Sequence, residues 1–208
     1  KAKSEGRPNW IKRQLSFNVV SGDNRHLFTI DGGKFADDSG KVYLFSKSYK
    51  DDTGKQVKGE AFDIPFKERL TSPRLEEVAE FKKFVIDTEK PNRRYKLEKL
   101  SEKLHEGKSL TDEELKEVDL ENPDDINSEL ERSKKRRHEF VSEWDYAEYI
   151  KKVIDSGKFA NNKFKIVGEI SYTYSDKNGR FYENFVPTRI YLAKDDEEEV
   201  SHATLELL

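Results

Sequence analysis

Residues Lys163 to Leu192, KFKIVGEISYTYSDKNGRFYENFVPTRIYL, decide how this chain is read. Two extended runs flank the loop Ser175-Asp176-Lys177-Asn178-Gly179-Arg180. Asn-Gly is the strongest short hairpin signal, because both residues tolerate positive φ. In the first run Phe164, Ile166, Ile170, Tyr172 and Tyr174 recur at period two around Gly168, so they share a face. The second run carries Phe181, Tyr182, Phe185, Val186, Ile190, Tyr191 and Leu192. That is more aromatic surface than one side of a hairpin buries. A long β-hairpin with some exposed rings is expected.

Working outward, Ser142-Glu143-Trp144-Asp145 opens a helix that places Tyr146, Ile150, Val153 and Ile154 on one face. Acidic residues at its start and Lys151 and Lys152 near its end suit the macrodipole. The first third reads as a β-meander: strands at Leu15–Val20, His26–Ile30, Lys41–Ser46 and Glu60–Ile64, separated by Gly-, Asp- and Asn-rich turns. In the middle the period changes. Ser72-Pro73 caps a helical stripe through Leu75, Val78, Ala79, Val85 and Ile86. Leu97, Leu100 and Leu104 mark a second helix, Thr111 to Glu114 is a capping box for a third, and Ile126 to His138 is a thin fourth. No apolar side of residues 88–138 is wide enough for a core helix, so a protruding helical insertion is expected there. The resulting division is a basic leader (1–14), a first β-region (15–70), a helical insertion (71–141), a helix with the final hairpin (142–193), and an acidic C-terminal segment (194–208).

Composition bounds the rest. Of 208 residues, 34% are hydrophobic and 39% charged, and the chain has no Cys, which excludes disulfides, thiolate metal sites and a Cys nucleophile. Mean hydropathy is -0.96. No apolar run is long enough to span a bilayer and no signal-peptide pattern opens the chain, so a cytoplasmic location is expected. With no Met at all, residue 1 is expected not to be the natural start. The net charge of -3 hides segregation: residues 1–13 carry five Lys/Arg against one Glu, residues 109–130 nine Asp/Glu against one Lys, and residues 194–199 read KDDEEE.

The element order now resembles an OB-fold, a small barrel with a helix before its final hairpin. The stretch from Phe164 through Gly168, the loop Asp176-Lys-Asn-Gly179, and Asn184 to Ile190 look like the last two strands of OB-type single-stranded DNA-binding proteins, with an overall look similar to those of bacteriophages. The expected fold is therefore α+β: an OB-like antiparallel β-barrel with a helical insertion. The resemblance implies a non-catalytic, sequence-tolerant binder of single-stranded DNA in phage replication or recombination, with no cofactor. It also implies recruitment of replication proteins through the acidic run 195–199, though a solubilising loop accounts for that run equally well.

Such proteins stack bases on aromatic rings and hold phosphates with Lys and Arg. The candidates are Lys163, Lys165, Tyr172, Tyr174, Lys177, Arg180, Tyr182, Phe185 and Arg189 in the hairpin, with Tyr43 and Tyr49 in the first β-region. For any single ring, core packing is the first expectation; for the set, some exposure is. Lys134-Lys135-Arg136-Arg137 reads first as a solvated helix face neutralised by nearby acids, and second as a phosphate grip. Two other functions remain open. One is a protein-interaction module using the charged insertion. The other is a Mg²⁺-dependent nuclease built on Asp31, Asp63 and Glu169, a trio that carboxylate abundance alone accounts for.

Overall fold

A computed structural model describes residues 9–194 and 196–201. The chain opens with β1 (Trp10–Ser21) and β2 (Asn24–Phe35), paired antiparallel over their whole length from Trp10–Phe35 to Ser21–Asn24. Alternation puts Leu15 and Phe17 on the inner side of β1, with Phe28 and Ile30 opposite them. Next come β3 (Lys41–Phe45), β4 (Tyr49–Lys50), β5 (Gln56–Val57) and β6 (Ala61–Pro65). β3 pairs with β6 and β4 with β5, each as a separate two-stranded sheet. The expected meander is thus corrected: β2 and β3 do not join. Instead Leu44 and Ile64 pack on Val78, with Val42, Phe62, Leu75 and Val141 around them.

The helix expected after Ser72 is also corrected. Ser72 does cap a turn, accepting from the Arg74 N–H, but only a 3-10 turn at Pro73–Glu77 follows, then another at Glu80–Lys82. Phe84–Asp87 is a strand, β7, with Val85 and Ile86 buried. A β-branched pair after Phe84 fits a pleated, covered strand better than a helix.

The insertion proper runs through α1 (Arg93–His105), α2 (Asp112–Lys116) and α3 (Ile126–Lys134). None of the three has a wide apolar side, yet together they close a core of Leu97, Leu100, Leu115, Val118, Ile126 and Leu130. The three thin stripes read from the sequence thus pool into one core. Charged groups tie the insertion together and to the sheet: Arg94 reaches Asp87 of β7 at 2.6 Å, while Arg136 pairs with Glu89 at 2.7 Å and Arg93 with Glu129 at 2.9 Å within the insertion. The fourth helix stops at Lys134, and Arg137–Phe140 forms β8, paired antiparallel with β7 from Phe84–Phe140 to Asp87–Arg137. The range 71–141 therefore includes two strands of the main sheet.

The helix expected after Ser142 is α4 (Glu143–Asp155), capped by the Ser142 hydroxyl, which accepts from the Asp145 N–H. The long hairpin follows as β9 (Phe164–Ser175) and β10 (Arg180–Leu192), in register from Arg180–Ser175 to Leu192–Phe164 with a bulge between Pro187 and Arg189. Only Gly179 of the Asn-Gly pair takes positive φ (64°), and its N–H closes the loop on the Ser175 carbonyl at 2.8 Å.

The main sheet has six strands in the order β1-β2-β10-β7-β8, with β9 on the other edge of β10. β10 meets β2 through one parallel pair, Phe185–Phe28, and meets β7 in parallel at Arg189–Tyr191. The result is a mixed α/β fold around a strongly curled half-barrel. Its core is Ile30, Ile86, Tyr146, Ala147, Ile150 and Ile190, so α4 lies against β2, β7 and β10. At Gly32 an added Cβ would lie 2.7 Å from the Trp144 backbone nitrogen, so this contact requires glycine. Arg13 stacks 4.0 Å over the Trp144 ring and pairs with Glu148 at 2.8 Å, while Arg69 holds Asp145 at 2.6 Å. No helix among the described residues is long and apolar enough to cross a membrane. Most of the basic leader (Lys1, Lys3 and Arg7), Asp195 of the acidic run and residues 202–208 of the C-terminal segment lie outside the described residues.

Candidate nucleic-acid interface

The β9–β10 hairpin divides into a base and an arm. At the base Phe164, Ile166 and Ile190 join the α4 core. Beyond Ile170 most residues on both faces of the strands are exposed up to the turn, Ser175 and Asn184 being half-buried. Directly paired residues share a face in an antiparallel ladder, so one face carries Ile170 with Phe185, Tyr172 with Glu183 and Tyr174 with Phe181. Tyr174 and Phe181 are in ring contact at 4.9 Å, yet Tyr172, Tyr174 and Phe181 stay 55%, 50% and 71% exposed. Tyr182 lies on the opposite face beside Thr173, with its hydroxyl held by the Asn178 side-chain amide. Lys177 and Arg180 sit at the turn, and neither has an ion-pair partner among the described residues.

This aromatic face continues into the body. Phe185 packs on Phe28 at 5.7 Å and on His26 at 5.4 Å, and Phe28 stacks on Phe17 at 5.8 Å. Phe185 is thus an anchor between arm and body. The row Phe17–Phe28–Phe185–Ile170 leads to the exposed rings of Tyr172, Tyr174 and Phe181. The contributions of Phe17, His26 and Phe28 were visible only as period-two texture in β1 and β2, and the β2–β10 pairing that makes them neighbours has no local signal.

The remaining candidates are dispersed. Arg189 donates to the Glu80 carbonyl at 3.0 Å. Lys163 is engaged by Glu199 at 3.4 Å and donates to the Glu197 carbonyl. Lys165 has no ion-pair partner among the described residues and faces a groove of about 600 Å³ that it shares with Arg94, Tyr95, Tyr191 and Lys194. Tyr43 and Tyr49 are exposed but stand on the two small sheets, not on the arm. The interleaving of rings and cations in the sequence therefore separates in space. The arm's aromatic face carries Glu183 and no cation, and the cations lie at the turn and on the other face.

Most of the Lys134–Arg137 cluster is occupied: Lys134 by Glu131, Arg136 by Glu89 and Glu129, Arg137 by Glu139 and Glu80. In the acidic run Glu199 accepts from the Gly22 N–H at 3.1 Å and faces Lys163, and these contacts hold its carboxyl below the usual range. The carboxylates weighed for a metal do not assemble. Asp31 pairs with Lys12, Asp63 with Lys41, and no group of three potential ligands occurs among the described residues. No family model, curated protein or solved structure matches this chain.

Proposed function

We propose that this chain binds single-stranded DNA without sequence preference through the β9–β10 arm. The observation that carries the reading is the arm itself: rings exposed on both faces of a projecting hairpin, with the cations Lys177 and Arg180, unpaired among the described residues, at its turn. Exposed aromatics lack the core role that explains Phe164 or Ile190. Stacking of a base on such a ring contributes about 1–3 kcal/mol and accepts any base. The element order, a helix and then a last hairpin on a curled sheet, suits an OB-like barrel, in which the loop between the last two strands takes part in binding oligonucleotides. A role in phage replication or recombination follows from the same resemblance. The test is replacement of Tyr172, Tyr174 and Phe181 by Ala, singly and together, with binding to an oligo-dT strand measured for each. Weakening that accumulates across the set supports the reading, and unchanged affinity in the triple variant removes it.

A second reading rests on the insertion, whose helices close a core of their own. As a docking module it would capture a protein partner. Because Asp87 pairs directly with Arg137, residues 88–136 can be exchanged for an Asn-Gly turn that continues the β7–β8 hairpin. Loss of partner capture with DNA binding retained would assign docking to the insertion; retained capture would exclude it.

A further inference from the structure

We propose that two copies of this chain associate through β9, the strands pairing antiparallel about a two-fold axis at Val167. β9 pairs only with β10, so its second edge, twelve residues long, carries no strand among the described residues. Natural sheets shorten such an edge, interrupt it with proline, or place charges along it. β9 has no proline, and its two charged residues, Lys165 and Glu169, are of opposite sign, lie on the same face and have no ion-pair partner among the described residues. Lys165 and Val167 to Tyr174 are exposed.

The spacing of those charges selects a register. Pairing about Val167 sets Lys165 of one copy opposite Glu169 of the other, twice. The same register sets Phe164 opposite Ile170, twice, and Val167 opposite itself. Ile170 is 37% exposed in the single chain and gains an apolar neighbour. The competing registers are poorer. Centring on Lys165 or Glu169 puts like charges face to face. Centring on Gly168 sets Lys165 against Ser171. Centring on Ile166 offers Glu169 only Lys163, which Glu199 already engages. Opposite charges directly across an antiparallel pair stabilise it, and like charges oppose it. The dimer joins two hairpins into one four-stranded ribbon, with the two arms pointing in opposite directions. It does not depend on DNA binding.

The test uses the whole chain without DNA. Sedimentation equilibrium over a wide concentration range should show a reversible monomer–dimer equilibrium. K165E and E169K each reverse two symmetry-related pairs and should weaken association about tenfold, the equivalent of about 1.4 kcal/mol spread over those pairs. The double variant K165E/E169K restores opposite charges and should recover the wild-type constant, an outcome that misfolding cannot produce. Since the chain has no cysteine, V167C carries a single thiol, and mild oxidation should link it to its copy as a covalent dimer. A chain monomeric at every concentration overturns the proposal and leaves the edge to a strand of another protein. A dimer indifferent to the charge swaps and not trapped by V167C overturns it equally.

Discussion

Replacing Tyr146 with Phe should stabilise the protein. Tyr146 is fully buried under the curled sheet, its ring stacked on Phe84 at 5.0 Å and near Phe140 at 6.1 Å. Its hydroxyl is enclosed, with no hydrogen-bond partner among the described residues. Burial pushes its ionisation above the usual tyrosine range, because the charged form has nothing to solvate it. An unpaired buried hydroxyl costs about 1–3 kcal/mol, while the ring contacts survive the change. Y146F should therefore raise the unfolding free energy by about 1–3 kcal/mol. At this chain length each kcal/mol corresponds to about 2–4 °C in midpoint. The assay is urea unfolding followed by circular dichroism, with an unchanged slope showing that the same surface is exposed. The control Y146A removes the ring and should cost about 3–5 kcal/mol, as other buried aromatics do. A less stable Y146F would refute the reasoning, because it would mean that the hydroxyl is satisfied in the folded protein.

Further expectations follow from other contacts. Burial lifts the Glu129 carboxyl, but hydrogen bonding and charge from Arg93, with Arg136 beside it, outweigh that and leave it below its usual range; Glu89 behaves alike, with the Lys90 N–H and Arg136. A carboxyl depressed in the folded state contributes stability above its unfolded value, about 4.3, and loses it as pH falls below that. Stability should therefore drop in acid, and E129Q should lower it at neutral pH while flattening the acid loss, as read by unfolding at a series of pH values. G32A forces a methyl into the Trp144 backbone and should cost about 1–3 kcal/mol in the same unfolding assay. K177E with R180E removes the turn's cations and should weaken single-strand binding and flatten its salt dependence.

Local pattern made the elements with complete periods legible. The hairpin from Phe164 to Leu192 and the Ser142-capped helix appear within a residue or two of their expected limits, because alternation, a turn loop and a capping hydroxyl are all local. Partnerships were not legible. At Val85 and Ile86 the β-branched pair is a weak local signal for a strand, and their pairing with β8, across the whole insertion, decides it. The insertion's core was hidden for a related reason, since Leu97, Leu115 and Ile126 each belong to a thin stripe that means little until three stripes meet. For the site, period two did place Tyr172 and Tyr174 together. Sequence alone could not separate rings from cations, because Arg189, Lys163 and most of the Lys134–Arg137 cluster are taken up by contacts distant in the chain.

The most direct measurement is fluorescence anisotropy of a labelled oligo-dT of about 30 nucleotides, ample for one OB-like site of about 4–16 nucleotides, at low and moderate salt. The account predicts binding that weakens with salt, exceeds binding to a duplex of equal length, and declines as Tyr172, Tyr174 and Phe181 are replaced. No binding at low salt, or binding that ignores the arm's rings, would contradict it.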